Sequence, residues 1–421
     1  MSIDLKKLLD QLTKLYPKYI DLSLDRMRNL LNKIDNPHLK LPPIIHIAGT
    51  NGKGSTLSYI KNILIESNYV THFYSSPHLE SIEERFIVCN KKISKKKLYN
   101  VLNYIKKINN NEKITFFEIT TAAALYIFAK EKADFTLLET GLGGRLDATN
   151  VIENSLIDII SPISIDHQEF LGKDIKSITN EKLGIIKKNS TIIIGKQDNK
   201  ILKFIKNKIK KKKNNKYYYD IDFKVLKKNP KNFYLKYNDE IYNFNNPRLN
   251  GDHQIENATT AISTIINLKK LGYNISKSSI NIGLKKTFWP GRLEKGYLKN
   301  IPVYLDGAHN ISGAKVIVNF FKNNKKNRWL IFGMINNKDL NNFLSEMKEI
   351  ISGIVAIKIP FEKNCFSNNE ISKSCKKLKI NCVKKRNIDE ANKYLINNIG
   401  PDEIIVSGSL YLVGKIRKLY I

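Results

Sequence analysis

The sequence has few cysteines and no long apolar run. The four cysteines at 89, 365, 375 and 382 form neither a CxxC pattern nor a paired framework, which excludes a disulfide scaffold and favours reduced thiols. No apolar stretch approaches the roughly 20 residues that a transmembrane helix needs. The first residues also lack the apolar segment of a secretion signal. We therefore expect a cytoplasmic protein with no membrane partner.

Acidic residues are outnumbered, with 39 Asp and Glu against 71 Lys and Arg, for a formal net charge of +32. Such an excess can indicate a polyanionic partner. Here it is nearly all lysine, is spread along the chain and accompanies abundant Asn and Ile, as drift towards AT-rich codons would produce. The densest run, 208–216, has no interleaved aromatic residues for base stacking and is typical of a solvated loop or helix end. We expect no specific nucleic-acid partner.

At 421 residues the chain exceeds the length at which one hydrophobic core usually stops growing, so we expect two domains. The first alternates helical and strand patterns, and its short apolar runs are typical of a parallel sheet covered by helices. Tyr- and Phe-rich alternation at 217–246 predicts a small antiparallel excursion. The predicted strands of the first domain are 44–48, 135–139, 157–162 and 191–195, with helical patterns at 4–33 and 53–67.

A break falls at 289–293, where Pro290 and Gly291 interrupt a helical pattern. A new alternation of strands and helices follows, which predicts a smaller open α/β sheet. We place the domain boundary between residues 289 and 290. The predicted strands of the second domain lie near 303–306, 329–333, 354–359 and 404–407.

Residues 44–56 combine an apolar strand, a glycine-rich turn and the start of a helix. Glycines let backbone N–H groups approach phosphate oxygens, the helix N-terminus adds a favourable dipole, and Lys53 neutralises charge. Ser55 or Thr56 can face magnesium. The turn, GTNGKGS at 49–55, departs from the standard phosphate loop because its first glycine is too close and a glycine follows the lysine. It predicts a variant phosphate site, with a purely structural turn as the alternative.

GTNGKGS is the form seen in Mur ligases and folylpolyglutamate synthases, and other segments of the chain agree with the folate branch. They are SSPHL at 75–79, TFFE at 115–118, ETGLGGRLDATN at 139–150, EKLGIIK at 181–187, GDHQ at 251–254, PGR at 290–292 and DGAHN at 306–310. In this order they closely resemble the bifunctional dihydrofolate synthase/folylpolyglutamate synthase family of the Mur ligase superfamily, over about residues 19–417.

The resemblance implies an ATP-dependent ligase that joins L-glutamate to dihydropteroate, forming dihydrofolate, and to reduced folates, forming folylpolyglutamates. In such chemistry ATP phosphorylates the acceptor carboxylate, and the glutamate amine attacks the acyl phosphate. It also implies a P-loop-type ATPase domain with a mostly parallel sheet at 1–289, which binds ATP and the pterin. A smaller Rossmann-like α/β domain at 290–421 would close on ATP and glutamate. We expect a monomer.

For metal, the resemblance implies about two magnesium ions held by Ser76, Glu139 and His167, with Lys182 as a carbamylated lysine that adds an anionic ligand. Each residue has a plainer alternative: Ser76 as a helix cap, Glu139 as a buried ion-pair partner, His167 as a turn histidine and Lys182 as a surface lysine. Glu139 stands out because it ends a strand before a glycine turn, where open α/β sheets place their sites.

For ATP, the resemblance assigns Arg292 beside the Pro-Gly break to the nucleotide phosphates and Asp306 at a strand end to the ribose. A linker salt bridge is the alternative for Arg292. The full implied ATP set is Thr50, Asn51, Gly52, Lys53, Asn257, Arg292 and Asp306. The implied catalytic residues are Lys53, Lys182 and His309.

For the pterin, bifunctional members carry an Ile-Asp-Leu-Gly-Leu-type stretch, and this chain has IDLSLDR at 20–26. Ser23 replaces the glycine, so a folate-only enzyme stays open as an alternative, and Phe116 has a core role as its alternative. Another Mur-type amide ligase and a basic RNA-binding protein with a decayed ligase site are the remaining rivals. The implied substrate-binding residues are Tyr19, Ile20, Asp21, Leu22, Thr115, Phe116, Arg145, Leu146 and Asp147.

Overall fold

The computed structural model describes residues 5–16 and 21–421. The chain divides into two compact units: unit 1 extends to Arg248 and resumes at Ile255–Thr287, and unit 2 comprises Leu249–Gln254 and Phe288–Ile421. The functional division at residue 290 stays a prediction. No helix in the described part of the chain combines the length and the apolar character that crossing a membrane requires.

An eight-stranded sheet forms the centre of unit 1. Its strands are β1 (Ile44–Ala48), β2 (Thr71–Tyr74), β3 (Phe86–Val88), β4 (Lys91–Lys92), β5 (Phe135–Glu139), β6 (Ile157–Ile160), β7 (Thr191–Ile194) and β8 (Lys216–Tyr218). The order is β4-β3-β2-β5-β1-β6-β7-β8, and all neighbours from β2 to β8 are parallel. Every residue of β1, β5, β6 and β7 is buried, as expected of apolar strands covered on both faces. The predicted α/β class with a mostly parallel sheet is confirmed.

Helices cover this sheet, and several begin where a capping residue accepts from the first backbone N–H groups. Thr115 and Glu118, for example, form a reciprocal capping box at the start of the fifth helix. The helices are α1 (Leu5–Thr13), α2 (Asp25–Lys33), α3 (Lys53–Glu66), α4 (Lys95–Asn109), α5 (Phe116–Lys130), α6 (Gln168–Leu171), α7 (Ile175–Leu183), α8 (Asn199–Ile209), α9 (Asp252–Lys270) and α10 (Lys277–Lys286). Short 3-10 turns occur at Pro37–Leu39, Ile82–Arg85 and Ala148–Val151. The lysine run at 208–216 forms the end of α8, the exposed loop after it and the start of β8.

A separate antiparallel sheet consists of β9 (Phe223–Lys228), β10 (Asn232–Tyr237) and β11 (Glu240–Asn245). The predicted excursion is therefore present, but it starts later than the sequence indicated. Tyr217 and Tyr218 belong to β8, which pairs in parallel with β7 of the large sheet. A three-residue strand is too short for its alternation to reveal which sheet it joins.

Unit 2 is built on a six-stranded sheet of order β12-β13-β17-β14-β15-β16, in which only β12 is antiparallel to its neighbour. Its strands are β12 (Glu294–Leu298), β13 (Ile301–Leu305), β14 (Arg328–Phe332), β15 (Gly353–Ala356), β16 (Cys382–Lys384) and β17 (Glu403–Ser407). Its helices are α11 (Ile311–Phe321), α12 (Leu340–Met347), α13 (Asn368–Lys377), α14 (Ile388–Tyr394), with a π-helical extension at Leu395–Ile399, and α15 (Leu410–Ile416), followed by a 3-10 turn at Arg417–Leu419. The predicted smaller α/β sheet is confirmed.

Helix α3 packs unusually close to α10. A Cβ at Gly283 of α10 would lie 2.7 Å from the Cα of Ile63 in α3, so only glycine permits this approach. Since α3 starts directly after the glycine-rich turn, this contact fixes the direction in which the turn leaves β1.

A buried hydrogen-bond chain joins β1 to the loop that follows β5. His46 Nε2 lies 2.8 Å from Thr149 Oγ1, and that hydroxyl donates to Asp147 Oδ1 at 2.6 Å. The hydroxyl has one proton, which goes to the carboxylate, so His46 carries its proton on Nε2 and donates. Asp147 also accepts from the backbone N–H of Leu142 at 2.8 Å. The loop at 141–147 is thereby tied to the central strand.

Burial lowers the pKa of His46 to about 3, because the ring is completely enclosed and Lys187 adds further repulsion. The unfolded chain titrates this histidine near about pH 6.5, so below that pH it binds a proton that the folded protein does not. We predict that, because of His46, the free energy of unfolding decreases by up to about 1.4 kcal/mol per pH unit as the pH falls from about 6.5 to 3.

The measurement is denaturant unfolding of the native protein and of His46→Gln between pH 7 and pH 4.5. The variant, which cannot titrate, should be less stable at pH 7 but should lose stability less steeply as the solution is acidified. Parallel pH profiles for the two proteins would contradict the assignment of a neutral buried imidazole.

Candidate active site

The turn between β1 and α3 is compressed against two neighbouring elements. Gly49 has φ of +153° and a Cβ there would lie 1.9 Å from Ser161 Oγ, while Gly52 has φ of +80° and a Cβ would lie 2.4 Å from Asn257 Oδ1. The backbone N–H groups of Thr50 and Asn51 both donate to the carbonyl of Pro162, at 2.9 and 3.2 Å. The predicted ATP-site residues Thr50, Asn51 and Gly52 thus lie in one glycine-dependent turn, and Asn257 of α9 packs against it.

Two lysines converge on the carbonyl of Gly49 in this turn. Lys53 Nζ lies 3.2 Å from that oxygen and 4.0 Å from Glu139 Oε1, and Lys182 Nζ reaches the same carbonyl at 2.9 Å. Lys182 is buried rather than a surface lysine. Burial, followed by repulsion from Lys53, lowers the pKa of Lys182 to about 7, against partial compensation by Asp166 and Asp147. The arrangement concentrates positive charge beside the turn.

The remaining predicted metal ligands follow strands of the same parallel sheet. Glu139 is the last residue of β5 and is buried, and Ser76 comes two residues after the end of β2. His167 has φ of +51° at the start of α6, where its N–H donates to Asp166 Oδ1 at 2.9 Å and its Nε2 lies 3.9 Å from Asp166 Oδ2. The carboxyl ends of neighbouring parallel strands meet at one sheet edge, which is where open α/β folds bind ligands.

The residues at this sheet edge fit a magnesium ion that has few protein ligands. Within residues 5–16 and 21–421, no three His, Cys, Asp or Glu side chains are grouped so as to hold a metal ion. An ion here would therefore depend on one carboxylate, hydroxyl oxygens, phosphate oxygens and water. Magnesium is commonly held in this way at phosphate sites, because it keeps several waters and needs few protein ligands. Glu139, Ser76 and the hydroxyl of Ser55 are the residues that could supply these oxygens, and the imidazole of His167 is the remaining predicted ligand.

The predicted pterin residues fall into two groups in unit 1. Asp21 accepts from Arg26, and Thr115 caps α5 directly before the half-buried Phe116. Leu22 packs at the edge of the apolar cluster beneath α6 and α7. Tyr19 and Ile20 lie outside the described residues.

The second pterin group follows Glu139 in the chain. Arg145 pairs with Glu181 at 2.9 Å, Leu146 is half-buried, and Asp147 is buried. Burial raises the pKa of the Asp147 carboxyl, whereas its hydrogen bonds, first that from Leu142 N–H, oppose the rise. The structure therefore gives Asp147 a structural part in holding the loop beside its predicted substrate role.

Unit 2 brings Arg292, Asp306 and His309 into one region. Asp306 accepts from the backbone N–H groups of Leu293 and Ala308, both at 2.8 Å. Burial raises the pKa of the Asp306 carboxyl, and the positive charge of Arg292 opposes this rise. His309 Nδ1 lies 2.9 Å from the carbonyl of Gly307.

The sequence did not reveal the partners that hold these residues. Ser161 and Pro162 carry no motif of their own, yet they confine the turn at Gly49. The ion pair of Arg26 with Glu118 spans 92 residues of sequence. Only the capping pattern Thr115-x-x-Glu118 gave a local signal, and it predicts a helix start, not a long-range pair.

Two domain families match this chain. The Mur ligase middle domain matches residues 47–265, and the dihydrofolate synthetase C-terminal domain matches residues 292–419. Among named proteins, the chain is 31% identical to the dihydrofolate synthase/folylpolyglutamate synthase of Bacillus subtilis over 422 residues, which cover 94% of each chain. It is also 31% identical to the probable dihydrofolate synthetase of Schizosaccharomyces pombe, over 95% of this chain and 98% of that protein.

Solved structures show the same fold. Folylpolyglutamate synthase of Thermotoga maritima matches with a TM-score of 0.81 and 31% identity, covering 98% of this chain and 96% of that one. FolC of E. coli in complex with DHPP and ADP matches with a TM-score of 0.86 and 25% identity, covering 99% and 97%. The two domain matches and the 31% identity to the Bacillus subtilis enzyme show that the chain belongs to the dihydrofolate synthase/folylpolyglutamate synthase family of ATP-dependent ligases.

Proposed function

We propose that this enzyme joins L-glutamate to dihydropteroate, forming dihydrofolate, and then adds glutamate to reduced folates. The observation that carries the proposal is the position of Lys53, whose Nζ lies 3.2 Å from the carbonyl of Gly49 and 4.0 Å from the carboxylate of Glu139. A site for transferring a phosphoryl group from ATP needs concentrated positive charge, backbone N–H groups and a carboxylate for a metal ion. The E. coli FolC structure adds support, since it contains DHPP and ADP together.

In the proposed reaction the acceptor carboxylate attacks the terminal phosphorus of ATP, and ADP leaves. The resulting acyl phosphate has a good leaving group, so the neutral amine of glutamate attacks its carbonyl carbon, the C–O bond breaks, and inorganic phosphate and a proton are released. Lys53 would hold the transferred phosphoryl group, and the N–H groups at the start of α3 would face its oxygens. Thr50, Asn51, Gly52 and Asn257 would shape this cradle.

Magnesium, when bound, would neutralise the phosphate oxygens, and Glu139, Ser76 and His167 are its proposed ligands. A related synthase from Yersinia pestis is described with AMPPNP and a manganese ion, at 26% identity and a TM-score of 0.84. We propose two ions. Arg292, Asp306 and His309 would serve ATP and glutamate from unit 2, and residues 290–421 would close on these substrates.

The acceptor would be held by the two groups described above. Asp21, Thr115, Phe116 and Asp147 are the residues on which the proposal chiefly rests, with Tyr19, Ile20, Leu22, Arg145 and Leu146 completing the set. We further propose a monomeric enzyme of the cytoplasm, in line with its four free cysteines.

The experiment that tests the function is ADP release by the purified protein with ATP, magnesium and L-glutamate. Dihydropteroate and a reduced folate are supplied separately as acceptors, and product masses are measured. We expect ADP release and the mass gain of one glutamate with both acceptors. A gain with the folate alone would limit the enzyme to polyglutamylation, and no ADP release with either acceptor would contradict the proposal.

A matched pair of lysine variants locates the chemistry. Lys53→Met should lower kcat about a hundredfold or more, because the phosphoryl group loses its cation in a largely enclosed site. Lys285→Met removes an exposed lysine of α10 and should leave the rate unchanged. Equal effects of the two substitutions would contradict the role of Lys53.

Lys182 is proposed to carry a carbamate in the active enzyme. Only a neutral amine attacks carbon dioxide, and a pKa of about 7 leaves about half of the amines neutral at pH 7. The amine forms an N–C bond to CO2 and releases one proton, so the ammonium beside Gly49 becomes an anion next to Lys53 and the proposed metal site.

We predict that activity falls when dissolved CO2 is removed at pH 7 and returns on addition of bicarbonate. With ¹³C-labelled bicarbonate, a carbamate carbon signal should appear in the NMR spectrum of the native protein and be missing from Lys182→Gln. A CO2-depleted enzyme with full activity and no such signal would rule the carbamate out.

A further inference from the structure

The guanidinium of Arg26 connects two separate segments of unit 1. On one side Nη1 donates to Asp21 Oδ2 at 3.1 Å, and Nη2 donates to the backbone carbonyl of Asp21 at 2.9 Å. On the other side Nε and Nη2 donate to the two carboxylate oxygens of Glu118, at 3.2 and 2.9 Å. The planar guanidinium thereby donates hydrogen bonds to Asp21 and to Glu118 at the same time. Lysine cannot reproduce this geometry.

Glu118 is fixed on its own side. Its Oε2 accepts from the backbone N–H of Thr115 at 2.7 Å, and its own N–H donates to Thr115 Oγ1 at 3.1 Å. The Glu118 side chain is 4% exposed, so this carboxylate is a rigid and largely desolvated anchor for the arginine. Charge-assisted pairs of this kind are stronger than neutral hydrogen bonds.

The Asp21 end of the network faces solvent more than the Glu118 end. The side chain of Asp21 is 28% exposed and that of Arg26 is 21% exposed. Tyr16 also restrains Asp21, because its hydroxyl donates a hydrogen bond to the Asp21 carboxylate. The Tyr16 ring lies 5.1 Å from the guanidinium carbon of Arg26. Asp21 is therefore held from two directions while part of its side chain stays exposed to solvent.

We propose that Arg26 is a positioning residue for the acceptor: it fixes Asp21 relative to Thr115 and Phe116, so that the two segments form one pocket of constant shape. The inference rests on the proposed function, which assigns these residues to the pterin-bearing acceptor. Arg26 itself acts through Asp21 and Glu118. Loss of the Arg26 guanidinium would leave the turn at Gly49 intact and would loosen the fit of the acceptor.

The experiment compares Arg26→Lys and Glu118→Gln with the native enzyme. Lysine keeps the charge but loses the fork, and glutamine keeps the capping hydrogen bonds of α5 but loses the anion. The control is Arg28→Gln, because Arg28 is on the same helix and is paired only loosely with the exposed Asp25, at 3.8 Å. Steady-state KM and kcat are measured for dihydropteroate, for a reduced folate and for ATP, together with the thermal unfolding midpoint.

We expect Arg26→Lys and Glu118→Gln each to raise the KM of dihydropteroate about tenfold to a hundredfold, since small misplacements of binding groups have effects of this size. The KM of ATP should stay within about twofold of the native value, and Arg28→Gln should behave as the native enzyme. An unchanged acceptor KM in both variants, or equal increases in the KM of acceptor and ATP, would overturn the inference. A native enzyme that uses neither acceptor would overturn the proposed function and the inference with it.

Discussion

Close approach of the backbone at Gly49 and Gly52 is the constraint on which the candidate active site depends. A Cβ at either position would meet the side chain of Ser161 or Asn257, so the segment directly after β6 and helix α9 limit how far the turn can expand. The compressed turn places one carbonyl, that of Gly49, within reach of two ammonium groups. In the proposed function, the phosphates of ATP would bind at this turn.

Two buried basic residues differ in how their charge is compensated. Arg328, the largest fully buried basic residue, is neutralised by Glu403 at 2.8 Å, as buried charges usually are. Lys182 is buried as well, but its hydrogen bond at 2.9 Å is to a neutral carbonyl. That difference explains why its pKa falls so far, and it separates Lys182 from the many solvated lysines of the chain.

Much of the fold could be predicted from the sequence, because central parallel strands are continuous apolar runs. The runs at 44–48 and 135–139 coincide with β1 and β5, and the predicted glycine turn lies between β1 and α3. The three-residue β3 and the two-residue β4 were missed because so short a pattern has no readable period. The burial of Lys182 and the pairing of Arg26 with Glu118 were also invisible, since both depend on segments that come together only in the folded chain.

Glu118 shows how one side chain can serve two unrelated purposes. The same carboxylate completes the N-terminal cap of α5 and anchors the guanidinium of Arg26. Loss of the whole carboxylate would therefore weaken both the helix cap and the hold on Asp21, whereas glutamine would keep the cap and lose only the anion. Shortening the side chain by a single methylene, as in aspartate, would disturb both the helix cap and the contact with Arg26. Few substitutions at this position would therefore preserve the two together.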